Sequence, residues 1–190
     1  GQKDILIGTP TAGRTGVEAE KVIGLFLNTL VLRSDLSGAP TFRELLQRIR
    51  KTALEAFAHQ DVPFEKIAEA IQPNRDLSRS PLFQVMFVLQ NEPQQALELA
   101  GLRVTPERVH SGTAKFDLTL SLEETSDGLR GYVEFNSDLF DAATLERLIG
   151  SFQTLLSEAV KNPVGPISEL PLLTTVEQKQ LREWNDTQRE

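Results

Sequence analysis

Two prolines and the apolar run that follows them constrain this chain more than any other feature. Residues 59–82 read HQDVPFEKIAEAIQPNRDLSRSPL and lead into Phe83-Gln84-Val85-Met86-Phe87-Val88-Leu89. Pro63 suits the first position of a helix, where its missing N–H would be unpaired anyway, and Pro73 stops one. The helix between them must be short, and Ile67, Ala68 and Ile71 give it one narrow apolar stripe. Asp61 and Glu65 place negative charge beside its partly positive start. Arg75, Asp76, Ser78 and Arg79 follow in a loop of mixed charge, where ion pairs are expected to fix the chain. Residues 82–89 are nearly all apolar, as in a strand covered on both faces. On these grounds alone the stretch is a well-capped connector of helix, turn, helix, loop and strand, with no nucleophile–base pair in it.

The remaining chain alternates between the two periodicities of secondary structure. Residues 4–8 read as a short strand, residues 9–14 as a loop and residues 17–26 as a short helix or turn. Gly13 and Gly16 are placed where a positive φ or a close backbone approach is needed. Residues 29–33 form the next strand. Thr41 then caps a helix, with Glu44 three positions on completing a capping box. Phe42, Leu45, Leu46, Ile49, Ala53, Ala56 and Phe57 make its apolar stripe, opposite Arg43, Arg48, Arg50 and Lys51. Residues 102–109 are a candidate strand. Phe116, Leu118, Leu120 and Leu122 alternate with polar residues, the pattern of a half-buried strand, and Asp127-Gly128 turns it back through residues 129–135. Asp141 caps a final long helix with its stripe on Leu145, Leu148, Ile149, Phe152, Leu155, Leu156 and Ala159, ended by Asn162-Pro163. Beyond Val164 the periodicity weakens, and Pro163, Pro166 and Pro171 stiffen an extended stretch.

Composition removes several classes of function. With 20 Lys+Arg against 27 Asp+Glu the net charge is −7, and the basic residues are scattered, which argues against a nucleic-acid partner. The absence of cysteine excludes disulfides and thiolate chemistry. No apolar run is long enough to span a membrane, and the first residues lack the apolar core of a signal peptide; a soluble, cytoplasmic chain is expected. A phosphate-binding loop would need more glycines and a Lys before Ser or Thr than residues 8–16 supply. The only histidines are His59, at a helix end, and His110, in a loop without a nearby acid. Neither is assigned a catalytic role, and no residue is assigned to a metal or a directly bound cofactor.

Three segments, in order and in register, resemble core motifs of the condensation domains of nonribosomal peptide synthetases. Ile23-Gly24-Leu25-Phe26-Leu27-Asn28-Thr29-Leu30 resembles the fifth motif, and residues 59–65 (His59, Gln60, Asp61, Val62, Pro63, Phe64, Glu65) the sixth. Residues 75–82, with Arg75, Asp76, Ser78 and Arg79, resemble the seventh. The resemblance implies an α/β fold, one half of a chloramphenicol acetyltransferase-like sandwich with a mixed sheet and helices packed on it. Residues 1–161 would be the carboxy-terminal subdomain, and residues 162–190 a linker toward a following adenylation domain, with Trp184 inserted into that neighbour or into the subdomain surface.

In such domains an acyl or peptidyl thioester is joined to an aminoacyl amine, both held on phosphopantetheine arms of upstream and downstream peptidyl carrier proteins. The pathways concerned make secondary metabolites, antibiotics among them. Amine attack on a thioester benefits from a group that positions the amine and accepts its proton. The resemblance places that role in an HHxxxDG motif of the amino-terminal half, and no such motif occurs here. This chain is therefore expected to supply one tunnel wall and to be inactive alone, with residues 9–14 and 23–30, Gly24, Phe26 and Asn28 among them, near the substrate channel. Two alternatives stand beside this: half of a coenzyme A-dependent acyltransferase of the same superfamily, or a catalytically silent docking platform. Residues 5–7 and the apolar side of residues 116–122 are expected to form an exposed face that awaits the other half.

Overall fold

A computed structural model describes residues 2–14, 16–20, 22–71, 80–90, 101, 102, 104, 107, 109 and 111–186. The elements are β1 (Asp4–Thr11), α1 (Val17–Glu20), β2 (Asn28–Asp35), α2 (Phe42–Ala58), α3 (Phe64–Ile71), β3 (Val85–Gln90), β4 (Leu118–Thr125), β5 (Gly128–Phe135), α4 (Ala142–Lys161), a single 3-10 turn (Ile167–Glu169) and α5 (Thr175–Asn185). The sheet runs β2-β1-β3-β4-β5. β3 is parallel to both β1 and β4, and β5 returns antiparallel to β4. The fold is α/β with a mixed sheet and helices, as expected. The chain divides into two compact units, one of Gly1–Leu6, Leu32–His59 and Phe140–Glu190 and one of Ile7–Val31 and Gln60–Leu139.

In the unit that holds Gln60–Leu139, the core is built on Phe83, which is 1% exposed. Its ring packs against Phe64 at 5.6 Å and Phe116 at 5.3 Å between centroids, both tilted, the geometry aromatic quadrupoles favour. β1 passes so close that a Cβ on Gly8 would lie 2.2 Å from Phe83 Cε2. Leu30, Ala68 and Met86 complete the buried apolar set.

β3 begins at Val85, later than the apolar run suggests, because Leu82 has φ +70° and Phe83 N–H bonds the Pro81 carbonyl at 2.9 Å. Those features define a tight γ-turn. Nor is β3 covered throughout, since Leu89 is exposed. The hairpin turn is Ser126-Asp127, one residue earlier than expected, and Gly128 supplies the positive φ (+117°) as the first residue of β5. Between residues 102 and 109 no strand appears among the described residues.

The other unit is organised by helix ends. Thr41 accepts from Glu44 N–H at 3.2 Å, while Glu44 Oε2 accepts from Thr41 N–H at 2.8 Å, the expected capping box. Asp141 caps α4 through Thr144 N–H at 2.6 Å. The chain after α4 returns to the start of α2: Arg43 N–H bonds Pro163 O at 2.9 Å, and Ile167 N–H bonds Pro40 O at 2.9 Å. These bonds satisfy backbone groups that a helix start leaves open. A second capping box, Thr174 with Glu177, opens α5 in a stretch whose sequence periodicity is weak. Trp184 on α5 is 66% exposed. Asp4 and Arg33 form a bidentate pair at 2.8–3.1 Å on the surface.

The segments expected to form an exposed apolar face are not open to solvent. Residues 5–7, Phe116, Leu118, Leu120 and Leu122 are half-buried, and Ser121 on the polar side of β4 is itself buried. The strand is covered on both faces, so the period-two pattern overstates its openness. Large exposed apolar residues lie instead in the loop before β2, at Val22, Ile23, Leu25 and Leu27, and at Leu89 of β3 and Leu129 of β5. On α2, Leu46 and Phe57 are exposed although they belong to the apolar stripe, as Ile71 does on α3.

Three stability tests follow from this packing and these caps. Gly8→Ala forces a methyl into the Phe83 ring, and overpacking of this kind costs about 1–3 kcal/mol; urea denaturation of Gly8→Ala, and of Gly8→Ala with Phe83→Leu, should show a loss that the second change partly restores. Thr41→Ala should cost about 0.5–2 kcal/mol by removing the cap. The Thr41 backbone N–H, and then its hydroxyl, hold the Glu44 carboxyl below its ordinary value of 4.5. Thr174 does the same for Glu177. A carboxyl with a depressed folded pKa stabilises the fold above its unfolded value and loses that contribution as pH falls through the folded value. Denaturation midpoints should therefore drop as pH falls below about 4.5, and Glu44→Gln with Glu177→Gln should flatten that slope.

Candidate functional site

The fifth-motif and sixth-motif segments meet at the first residue of β2. Asn28 Nδ2 donates to the backbone carbonyls of Gln60 at 2.7 Å and Val62 at 2.8 Å. Its Oδ1 accepts from Phe64 N–H at 3.1 Å and from its own neighbour Thr29 N–H at 2.9 Å. Both amide hydrogens and both lone-pair directions of the side chain are thus used. Pro63 accounts for the arrangement. Its carbonyl accepts the first bonds of α3, from Lys66 and Ile67, so it occupies the cap position, one residue before the first helical one. Proline brings no side-chain oxygen to that position, and Asn28 caps Phe64 from a distant strand instead.

Around this clamp lies a shallow cavity of about 300 Å³, lined by Phe26, Asn28, Gln60, Asp61, Pro63 and Glu65 among others. Thr11, the last residue of β1, donates its hydroxyl to Gln60 Oε1 at 2.6 Å and fixes that side chain at the rim. Asp61 and Glu65 stand exposed beside the start of α3. Gly24 is exposed, and a Cβ there would sit 3.1 Å from the Phe26 ring. Gly13 takes φ +60° and lies against the Phe26 carbonyl, which a Cβ would approach to 2.0 Å. Gly16 has neither a positive φ nor a close neighbour.

His59 is the C-cap of α2 through its backbone N–H, which bonds Ala56 and Phe57 carbonyls, and not through its imidazole. His110 lies outside the described residues, as do Arg75, Asp76, Ser78 and Arg79 with the ion pairs expected of them. Among the described residues no cluster of three or more His, Cys, Asp or Glu could hold a metal ion. The arrangement thus holds backbone in place and offers carboxylates at a rim. Thr11 and Arg14, both prominent in this region, do not stand out in the sequence, because their roles lie in partners several to many residues away.

The match of this chain to known proteins is extensive. The family model for the condensation domain matches residues 1–182. The chain is 52% identical over 190 residues to a linear gramicidin synthase of Brevibacillus parabrevis, covering 98% of the chain and 2% of that protein. It therefore spans only a small part of the curated relatives it matches. The X-domain from teicoplanin biosynthesis superimposes with a TM-score of 0.81 at 33% identity, covering 90% of this chain and 40% of the other. A holo four-domain nonribosomal peptide synthetase, solved with AMP and glycine, superimposes with a TM-score of 0.82 at 26% identity, covering 93% of this chain and 14% of that one.

The clamp predicts a specific loss. Asn28→Ala leaves two carbonyls and the Phe64 N–H without their partner, which should cost about 1–3 kcal/mol. Asn28→Asp should be no better, because it turns a carboxylate toward two carbonyl oxygens. Hydrogen exchange at Phe64 together with urea midpoints checks this. Wild-type protection of Phe64 in Asn28→Ala would show that the cap is dispensable.

Proposed function

Because this chain belongs to the condensation-domain family, we propose that it forms one wall of the tunnel in which a nonribosomal peptide synthetase makes amide bonds. A carrier-bound acyl or peptidyl thioester is the donor, and the amine of a carrier-bound aminoacyl group attacks it. Both arrive on phosphopantetheine arms, which are substrate carriers and not resident cofactors of this chain. The carrying observation is the 52% identity to a linear gramicidin synthase over 98% of the chain. The joining of the fifth-motif and sixth-motif segments at Asn28 supports it, since residues 23–30 are the segment the resemblance sets near the channel.

In this reading the chain binds and orients while the amino-terminal half, with its HHxxxDG motif, handles the proton of the attacking amine. The described residues offer the polar rim of Gln60, Asp61 and Glu65 and the exposed apolar side chains of Ile23 and Leu25 as substrate-facing groups. Arg75, Asp76, Ser78 and Arg79 are proposed to hold the loop before β3. The partners are that half, the upstream and downstream peptidyl carrier proteins and a following adenylation domain, toward which residues 162–190 lead. A cytoplasmic site of action belongs to the same proposal; among the described residues no helix is long and apolar enough to cross a membrane.

A second reading has one observation in its favour. The X-domain solved in complex with OxyB is 34% identical over 90% of this chain, and a relative solved with a bound partner suits the docking-platform alternative. The higher identity to the gramicidin synthase favours condensation.

One assay separates them. Loaded donor and acceptor carrier proteins should give no product with this chain alone, and amide product when its amino-terminal half is added. Product from the chain alone, at the rate of the combined halves, would overturn the tunnel-wall assignment. Binding of the two halves without product would favour the platform.

A further inference from the structure

One side chain holds the loop that carries Ile23, the most exposed large apolar side chain among the described residues. The Arg14 guanidinium reaches the carbonyls of Ala19, of Val22 at 2.8 Å and of Gly24 at 3.4 Å. Its carbon lies 4.4 Å from the centroid of the Phe26 ring. One planar group thus gathers three carbonyls by its fork of donors and an aromatic face by its charge. The carbonyls belong to the end of α1 and the turn after it, where Ala19 N–H bonds Gly16 O and Val22 N–H bonds Ala19 O. Gly13, beside Arg14, lets the chain press against the Phe26 carbonyl. The loop so held presents Ile23, 101% exposed, and Leu25, 87% exposed. Side chains this open need an anchor below them to keep a fixed place.

We propose that Arg14 is a positioning residue for condensation, fixing Ala19, Val22, Gly24 and Phe26 so that Ile23 and Leu25 meet the substrate at a constant place on the tunnel wall. The proposal rests on the tunnel-wall reading for its consequence, but its structural half stands without it. A lysine cannot replace the arginine, because an ammonium is a single point of charge and lacks the planar fork that reaches three carbonyls together. Arg14 makes most of its contacts at the surface, so its loss should loosen the loop more than it destabilises the fold.

The chain has no cysteine, so a single introduced one reports on one place. Ile23→Cys carrying a nitroxide should show restricted motion with Arg14 present, and clearly faster motion in Arg14→Ala. Arg14→Lys should fall between. A nitroxide on Ser126→Cys, in the β4–β5 turn, should be unchanged in all three and shows that the variants fold. With the amino-terminal half added, kcat/KM for the acceptor should fall roughly ten- to a hundredfold in Arg14→Ala, the scale set by small misplacements of reacting groups. Arg14→Lys should not restore it, and Arg33→Ala, which breaks only the surface pair with Asp4, should leave it unchanged. Unchanged motion at position 23 in Arg14→Ala overturns the anchor. Faster motion with unchanged condensation overturns the role of this loop in the reaction. Failure of the unsubstituted halves to condense would instead count against the tunnel-wall reading and leave the motion result to decide the anchor.

Discussion

The burial of Phe83 is the contact on which the arrangement around the site depends. It is fully enclosed, and its neighbours come from three separate stretches: Phe64 at the start of α3, Phe116 before β4, and the bare backbone of Gly8 in β1. Full burial of a phenylalanine is worth about 1.5–3 kcal/mol in apolar transfer alone. That gain is available only if α3, β1 and the start of β3 are all in place. Phe64 is also the residue whose N–H Asn28 caps. The same residue thus joins the apolar core to the polar clamp, and the cavity rim inherits its position from the core beneath.

The clamp shows why two segments distant in sequence behave as one motif. A helix start leaves its first N–H groups without partners, and the usual remedy is a Ser, Thr, Asp or Asn at the cap. Proline stands there instead, so the oxygen has to come from elsewhere. Asn28 supplies it, and its amide N–H groups take up two carbonyls of the same turn. An aspartate would offer the oxygen without the donors, and a serine would not reach both carbonyls together. Asparagine at this place follows from donor and acceptor geometry alone.

Local signals carry most of the fold into view. The capping box at Thr41, the Asp141 cap and the alternation in β4 each depend on residues within a few positions of one another, and the elements form where those signals place them. Helix α5 escapes the sequence reading even though Thr174 and Glu177 repeat the Thr41 and Glu44 signature, because weak apolar periodicity and three nearby prolines argue for an extended chain. Its cap is met by Gly150 of α4, where a Cβ would come within 3.1 Å of the Thr174 methyl carbon. The site is legible as motifs and not as geometry. Asn28 stands out as polar among apolar neighbours, but its four bonds run mainly to residues 60–64. Arg14 gives no signal at all, since three carbonyls leave no trace in a sequence.

The γ-turn at Leu82 makes sense as the joint between the loop and the core. A non-glycine residue at φ +70° carries strain on the order of 1–3 kcal/mol, which persists only where the surroundings over-determine it. The surroundings here are Pro81, whose ring fixes its own φ, and Phe83, which is committed to the core. The chain must leave the loop and deliver Phe83 inward within two residues, and a tight turn is the shortest path. Gln84 braces it by donating its side-chain N–H to Ser80 O at 3.2 Å. The gain from burying Phe83 is of the same size as the strain, so the turn holds only while the aromatic packing holds. Any change that loosens Phe64 or Phe116 should therefore be felt at Leu82, and through it at the end of the seventh-motif segment.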